Sequence, residues 1–214
     1  MWRRGNELFK HRLIADALIL IILFSLSVQV SMIGGSKSSG GIFSGIVHAS
    51  PGVVSRATVV VSGSEGYGYA TTQSSGRYLI NVGLKTGSYT VGVIAEGYLI
   101  ENREKVSVVV GQETSDINFY LRLSGGISGK VTDAVSGLAL QNVVVMARSI
   151  DKPYSWSAGT DANGNYRIIT NLATGTYNVT AVLAEGHITK TVGGIAVTAG
   201  VEKTGVKLAL GRSG

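Results

Sequence analysis

Beyond residue 40, apolar and polar positions alternate along most of the chain. In TYNVTAVLA, Tyr177, Val179, Ala181 and Leu183 fall on one face, and Asn178 and Thr180 on the other. In SYTVGVIA, Tyr89, Val91 and Val93 share a face. Successive side chains of a strand point to opposite sides, so this period of two predicts sheets with one buried face. Ala57 to Val61 and Val143 to Met146 are more continuously apolar, which predicts central strands. Ser74-Ser75-Gly76 and DANGN (Asp161 to Asn165) separate strands with residues that tolerate positive φ, as tight hairpins require. No stretch after Ser31 carries a helical period.

One segment breaks the pattern. Leu13 to Val30 is apolar apart from Asp16, and the preceding MWRRGNELFKHR is basic. Its length is at the short end of what a membrane-spanning helix needs. Two readings fit. One is a cleaved signal peptide with an apolar region Ala15 to Phe24 and Ser25 and Ser27 ahead of the cut. The other is an uncleaved anchor, favoured by continuation of the apolar run through Val28, Val30, Met32 and Ile33. Residues 1–33 are thus expected to be a signal peptide or signal anchor, with the membrane as partner of residues 13–33 if uncleaved. The basic flank would then stay cytoplasmic, and the rest would lie on the extracellular side of the cytoplasmic membrane or be secreted. GGSKSSGG, residues 34–41, reads as a flexible linker.

The chain beyond this linker repeats one unit twice. Gly76, Tyr78, Leu84, Gly87, Tyr89 and Val91 match Gly164, Tyr166, Leu172, Gly175, Tyr177 and Val179 at one offset (164 − 76 = 88). Gly111 and Leu121 match Gly200 and Leu210 one residue later, and Glu96-Gly97 matches Glu185-Gly186. Gly45-x-Val47 matches Gly129-x-Val131 at the front. Each unit is of a size for a small seven-stranded sandwich. The join, LRLSGGISGK, is short and glycine-bearing, which predicts few contacts across it and copies that fold separately.

Charge and composition narrow the chemistry. Only 15% of residues are charged, and the net charge of +6 is concentrated at Arg3, Arg4, Lys10 and Arg12. The other cations are scattered, so no nucleic-acid partner is expected. Cysteine is absent, which excludes disulfides, thiolate nucleophiles and cysteine zinc sites.

The second copy reads Gly129-x-Val131-x-Asp133-x-x-Ser136-Gly137, then an apolar strand, then Asp161-x-x-Gly164-x-Tyr166, then Leu172-x-x-Gly175-x-Tyr177-x-Val179. This order resembles the carboxypeptidase regulatory-like domain, itself similar to transthyretin-like and collagen-adhesin B-type sandwiches. The first copy departs from it, with Ala49 near the Asp133 position and Gln73 at the Asp161 position. The resemblance implies an all-β chain of two tandem seven-stranded Greek-key β-sandwiches, transthyretin-like (prealbumin-like), after an N-terminal transmembrane or signal helix. The two domains would span 42–124 and 125–210. It further implies a stalk, spacer, adhesion or sugar-contacting role on exported proteins.

No catalytic, cofactor or metal residues are expected. Neither H-x-x-E nor H-E-x-x-H occurs, so no peptidase zinc site carries over from the family's larger relatives. The exported histidines His48 and His187 lack a nucleophile-elbow context, and His187 is expected at a strand edge where the first copy has Tyr98. DANGN resembles a fragment of a calcium loop, but Thr170 stands where the closing glutamate would be. Lys130 lies near a first strand, as in sandwiches with an internal Lys–Asn isopeptide bond, yet the last strand VEKTGVKLAL offers no Asn or Asp. Asn118 and Asp116 sit on the first copy's last strand, whose partner GIFSGIVHA has no lysine.

The candidate ligand contacts are aromatic. Tyr67 and Tyr69, and Tyr154 and Trp156, precede corresponding turns and are suited either to stacking on sugars or to core packing. Asn178-Val179-Thr180 is a glycosylation sequon on an outward position. The expected function is therefore a non-catalytic cell-surface structural, adhesion or spacer module with a protein or polysaccharide partner. The alternatives are a carbohydrate-binding module and a fibre subunit, in which Val28 to Ile33 would add to the lightly charged edge strand Thr189 to Val197 of a neighbour.

Overall fold

The computed structural model describes residues 40–152, 155–183 and 187–212. Residues 1–33, expected to be a signal peptide or signal anchor, and Tyr154 lie outside them. Every regular element among the described residues is a strand, and no helix there is long and apolar enough to cross a membrane.

The first copy contains β1 (Gly41–Ala49), β2 (Gly52–Val53), β3 (Thr58–Gly63), β4 (Gly66–Thr71), β5 (Arg77–Leu84), β6 (Gly87–Ile94), β7 (Glu101–Val108), β8 (Glu113–Thr114) and β9 (Phe119–Leu121). One sheet has β1 at its centre, flanked by β5 and β2, with β8 and β9 pairing parallel to it. The other runs β4-β3-β6-β7. The second copy contains β10 (Gly126–Asp133), β11 (Val144–Ser149), β12 (Ser155–Gly159), β13 (Asn165–Ile168), β14 (Gly175–Val182), β15 (Lys190–Val197) and β16 (Glu202–Leu210). Its sheets are β13-β10-β16 and β12-β11-β14-β15. These are tandem Greek-key sandwiches of seven strands, once β8 and β9 are taken as one interrupted last strand and the short β2 is set aside.

The alternation read from sequence is the alternation of burial. Tyr89, Val91 and Val93 are buried in one core, and Tyr177, Val179 and Ala181 in the other. The two continuously apolar runs form β3 and β11, each flanked on both sides within its sheet. The cores are separate clusters filled differently at matching positions. Phe43 and Phe119 stand in the first where Ile127 and Leu208 stand in the second.

The backbone repeats more faithfully than the side chains. Left-handed residues recur in register as Arg56 and Asn142, Gly83 and Asn171, Lys105 and Gly194, and Asp116 and Gly205. Several place bulges. Lys105 bends the edge strand β7, and Gly194 bends β15 at the same point. Asp116 interrupts the first copy's last strand where Gly205 bulges β16. Asn118 was expected on that last strand, but it sits in the break, where its Oδ1 accepts from Ile46 N at 2.8 Å.

The join carries more contacts than its sequence suggests. Ser124 N donates to Gly97 O at 2.8 Å, and Asn171 N donates to Tyr98 O at 3.0 Å. Asn171 Oδ1 accepts from Ile100 N at 3.1 Å. Ser124 Oγ accepts from Leu172 N at 2.8 Å, and Gly125 N donates to Leu172 O at 2.7 Å. Ser38–Gly214 accordingly form one compact unit containing both sandwiches.

Candidate functional site

The recurring motif residues serve turns and strand crossings. In the second copy the Tyr166 hydroxyl donates to Val206 O at 2.8 Å, and in the first Tyr78 donates to Ile117 O at 2.7 Å. Burial pushes both phenols well above their ordinary range. Gly129 and Gly45 lie under these crossings, where a Cβ would collide with the same carbonyls. Tyr177 and Tyr89 close a second lock by donating to Ala173 O and Lys85 O, both at 2.9 Å.

Two buried threonines complete the repeat, and sequence reading passed over them. Thr160 Oγ1 accepts from Val143 N at 2.9 Å and donates to Leu140 O at 2.7 Å. Thr72 does the same with Ala57 N and Val54 O, at 2.9 and 2.7 Å. The available signal was that both occupy one place in the repeat, four residues ahead of the hairpin glycine.

The densest polar cluster surrounds Asp133, whose side chain is 1% exposed. Oδ1 accepts from Val135 N, Ser136 N and Ser136 Oγ at 3.0, 2.8 and 3.0 Å. Oδ2 accepts from Arg212 Nε at 2.8 Å and lies 3.4 Å from His187 Nε2. The Ser136 amide first, then Arg212, hold the carboxyl far below its usual range. Ser136 donates to the carboxylate and not to the imidazole, so the trio does not form a nucleophile–base–orienter relay. His187 bridges Arg212 as Tyr98 bridges Leu123; both are isolated bridges outside the strands, so His187 lies ahead of β15 and not on the strand edge expected.

The remaining candidates separate clearly. Asp161 caps its own turn, with Oδ1 accepting from Asn163 N at 2.9 Å and Asn165 N at 2.8 Å. Among the described residues no group of His, Cys, Asp and Glu is placed to hold a metal ion. Lys130 is exposed on the outer face, where its charge bears on Asp161, and does not enter the core. Tyr67 and Tyr69 project outward from β4, 70% and 48% exposed. Trp156 is half-buried and packs against the second core. Asn178 is half-buried on the outer face of β14, and the Thr180 hydroxyl of its sequon pairs with that of Thr191 at 2.9 Å. An aromatic pair not foreseen lies on the first copy, where His48 and Tyr120 stack 4.9 Å apart with planes 10° from parallel.

Two sandwiches with the same locks and turns define a class of tandem β-sandwich modules. The chain belongs to the carboxypeptidase regulatory-like domain family, whose profile matches residues 42–122 and again 126–211. Among curated proteins no relative matches. Among solved structures it is similar to the Bacillus anthracis TIE protein (17% identity, TM-score 0.34), covering 81% of this chain and 34% of that one. It thus spans about a third of that protein's length. It is also similar to the minor pilin of Streptococcus agalactiae (12% identity, TM-score 0.33), covering 82% and 97% of the two chains. A third is the shaft pilin of Lactobacillus rhamnosus GG (7% identity, TM-score 0.36), covering 81% and 98%.

Proposed function

We propose that the chain is a non-catalytic structural spacer and adhesion module, displayed outside the cytoplasmic membrane or secreted. The observation that carries this reading is the hydrogen-bonded join of two sandwiches whose recurrent polar residues bind their own backbone. Such a molecule sets a distance and presents its faces to partners; it offers no reactive centre among the described residues. The apolar segment Leu13 to Val30 and its basic flank support an exported location.

The absence of cysteine makes the test clean. Lys203→Cys, at an exposed position of β16, is expected to react with a membrane-impermeant maleimide on intact cells or in their medium. Labelling only after lysis overturns the exported placement.

The outward rings of Tyr67 and Tyr69 favour a second reading, a carbohydrate-binding module at the cell surface. On a glycan array this reading expects saturable binding by the full chain that Tyr69→Ala abolishes. No binding to any glycan, or binding untouched by that substitution, removes Tyr69 from the account.

A further inference from the structure

The join between the sandwiches is an end-to-end contact, and the backbone of both its halves recurs at the outward ends, with Gly83 in the place of Asn171. On the first sandwich the joined end consists of Tyr98 to Ile100 beside Arg122 and Leu123. Leu99 N donates to Arg122 O at 2.9 Å, and Tyr98 bridges Leu123. The far end of the second sandwich repeats this. Ile188 N donates to Gly211 O at 2.8 Å, and His187 bridges Arg212. On the other side of the join stand Thr170, left-handed Asn171 and Gly200. The near end of the first sandwich has Val82, left-handed Gly83 and Gly111 in their places.

Exposure differs between joined and outward copies. Leu99, Ile100, Thr170 and Asn171 are half-buried, whereas Ile188, Thr189, Val82 and Gly83 are exposed. The outward ends also carry exposed aliphatic side chains: Ile188 is 56% and Val82 51% exposed, and Val135 and Leu138 in the turn after β10 are 85% and 68% exposed. Where the join has Thr170, the near end has an aliphatic side chain, which suits a contact that must form without a covalent link.

We propose that the far end of the second sandwich docks the near end of the first sandwich of a second copy, repeating the internal join between molecules. The contact is heterologous, so it propagates as a row and does not close as a pair. It goes beyond the spacer reading, because it rests on the geometry of the join and holds whether or not the chain is displayed outside the cell.

The join itself supplies a ruler. Leu123 Cβ lies 3.9 Å from where a Cβ on Gly200 would stand, close to the ~3.8 Å typical of a disulfide. The equivalent intermolecular pair is Arg212 on one copy and Gly111 on the next. Full-length chains carrying Arg212→Cys and Gly111→Cys are mixed and oxidised. A disulfide-linked heterodimer is expected, at least tenfold above mixtures in which Tyr67→Cys replaces either variant. The doubly substituted Leu123→Cys, Gly200→Cys chain is the intramolecular control. Because Arg212→Cys also removes a partner of Asp133, a second measurement uses Ile188→Asp and Val82→Asp, followed by sedimentation across a concentration series. Each should abolish concentration-dependent association seen with the unsubstituted chain. A heterodimer no more abundant than the Tyr67 controls, or association that both aspartate variants leave intact, overturns the proposal.

Discussion

Gly129 and Val206 face each other so closely that a Cβ on the glycine would collide with the Val206 carbonyl oxygen, to which the adjacent Tyr166 hydroxyl donates at 2.8 Å. The neighbour is backbone on a bulged strand and cannot swing away. Gly129→Ala is therefore expected to destabilise the second sandwich by about 3 kcal/mol or more, at the upper end of overpacking costs. Denaturant unfolding with Trp156 as reporter, in a Trp2→Phe background, measures this. A loss under about 1 kcal/mol would show that the strand can shift.

Thr160 tests a different term. Thr160→Val keeps the shape but leaves Val143 N and Leu140 O without the hydroxyl that satisfies both. Each orphaned buried group costs roughly 1–3 kcal/mol. A loss of about 2–4 kcal/mol is expected in the same assay, and Thr160→Ser should recover most of it. Equal losses for valine and serine would assign the effect to packing.

Acid should act on the second sandwich through Asp133. Its folded carboxyl titrates below the unfolded value of about 3.9. The stability it contributes is present above that value and is lost as pH falls from about 4 toward the folded pKa. Asp161 and Glu202 are shifted the same way by their hydrogen bonds, while Ala49 takes the Asp133 position in the first sandwich. Amide resonances of the second sandwich should therefore weaken at higher pH than those of the first, and Asp133→Asn should narrow the gap. Simultaneous loss in wild type contradicts this.

At the join, Asn171 combines a left-handed backbone with a side-chain acceptor for Ile100 N. Asn171→Gly keeps the first and deletes the second. Residual dipolar couplings should fit one common alignment for both sandwiches in the unsubstituted chain. In the variant the two alignments should diverge, with the fold of each sandwich unchanged. A common alignment in both proteins would mean that the Ser124 bonds and the backbone bond from Asn171 N to Tyr98 O suffice.

Much of the fold was legible because its two signals are local. Alternation marked the buried faces of β6 and β14, and Gly76 and Gly164 marked hairpins. The pairing of Asp133 with Arg212 was not legible, because its partners come from opposite ends of a domain and only the closed sheet brings them together. Nor did Arg56, Lys105 and Asp116 advertise left-handed backbone, for which glycine or asparagine is the usual sign. Trp156 was legible as an aromatic at a strand position but not as facing inward. Strand alternation fixes relative faces, and only the pairing of β12 with β11 fixes which face meets the core.

The unlike filling of the two cores bears on how the chain reaches its native state. Two neighbouring copies of one topology offer every strand a wrong partner of the right length and polarity, and adjacent domains are prone to that misassembly. Phe43 placed in the second core would have to fit the room that Ile127 fills, and Ile127 in the first would leave a void beside Tyr89. Either exchange costs free energy through overpacking or a cavity. Divergence between the copies thus raises the free-energy cost of strand exchange between them.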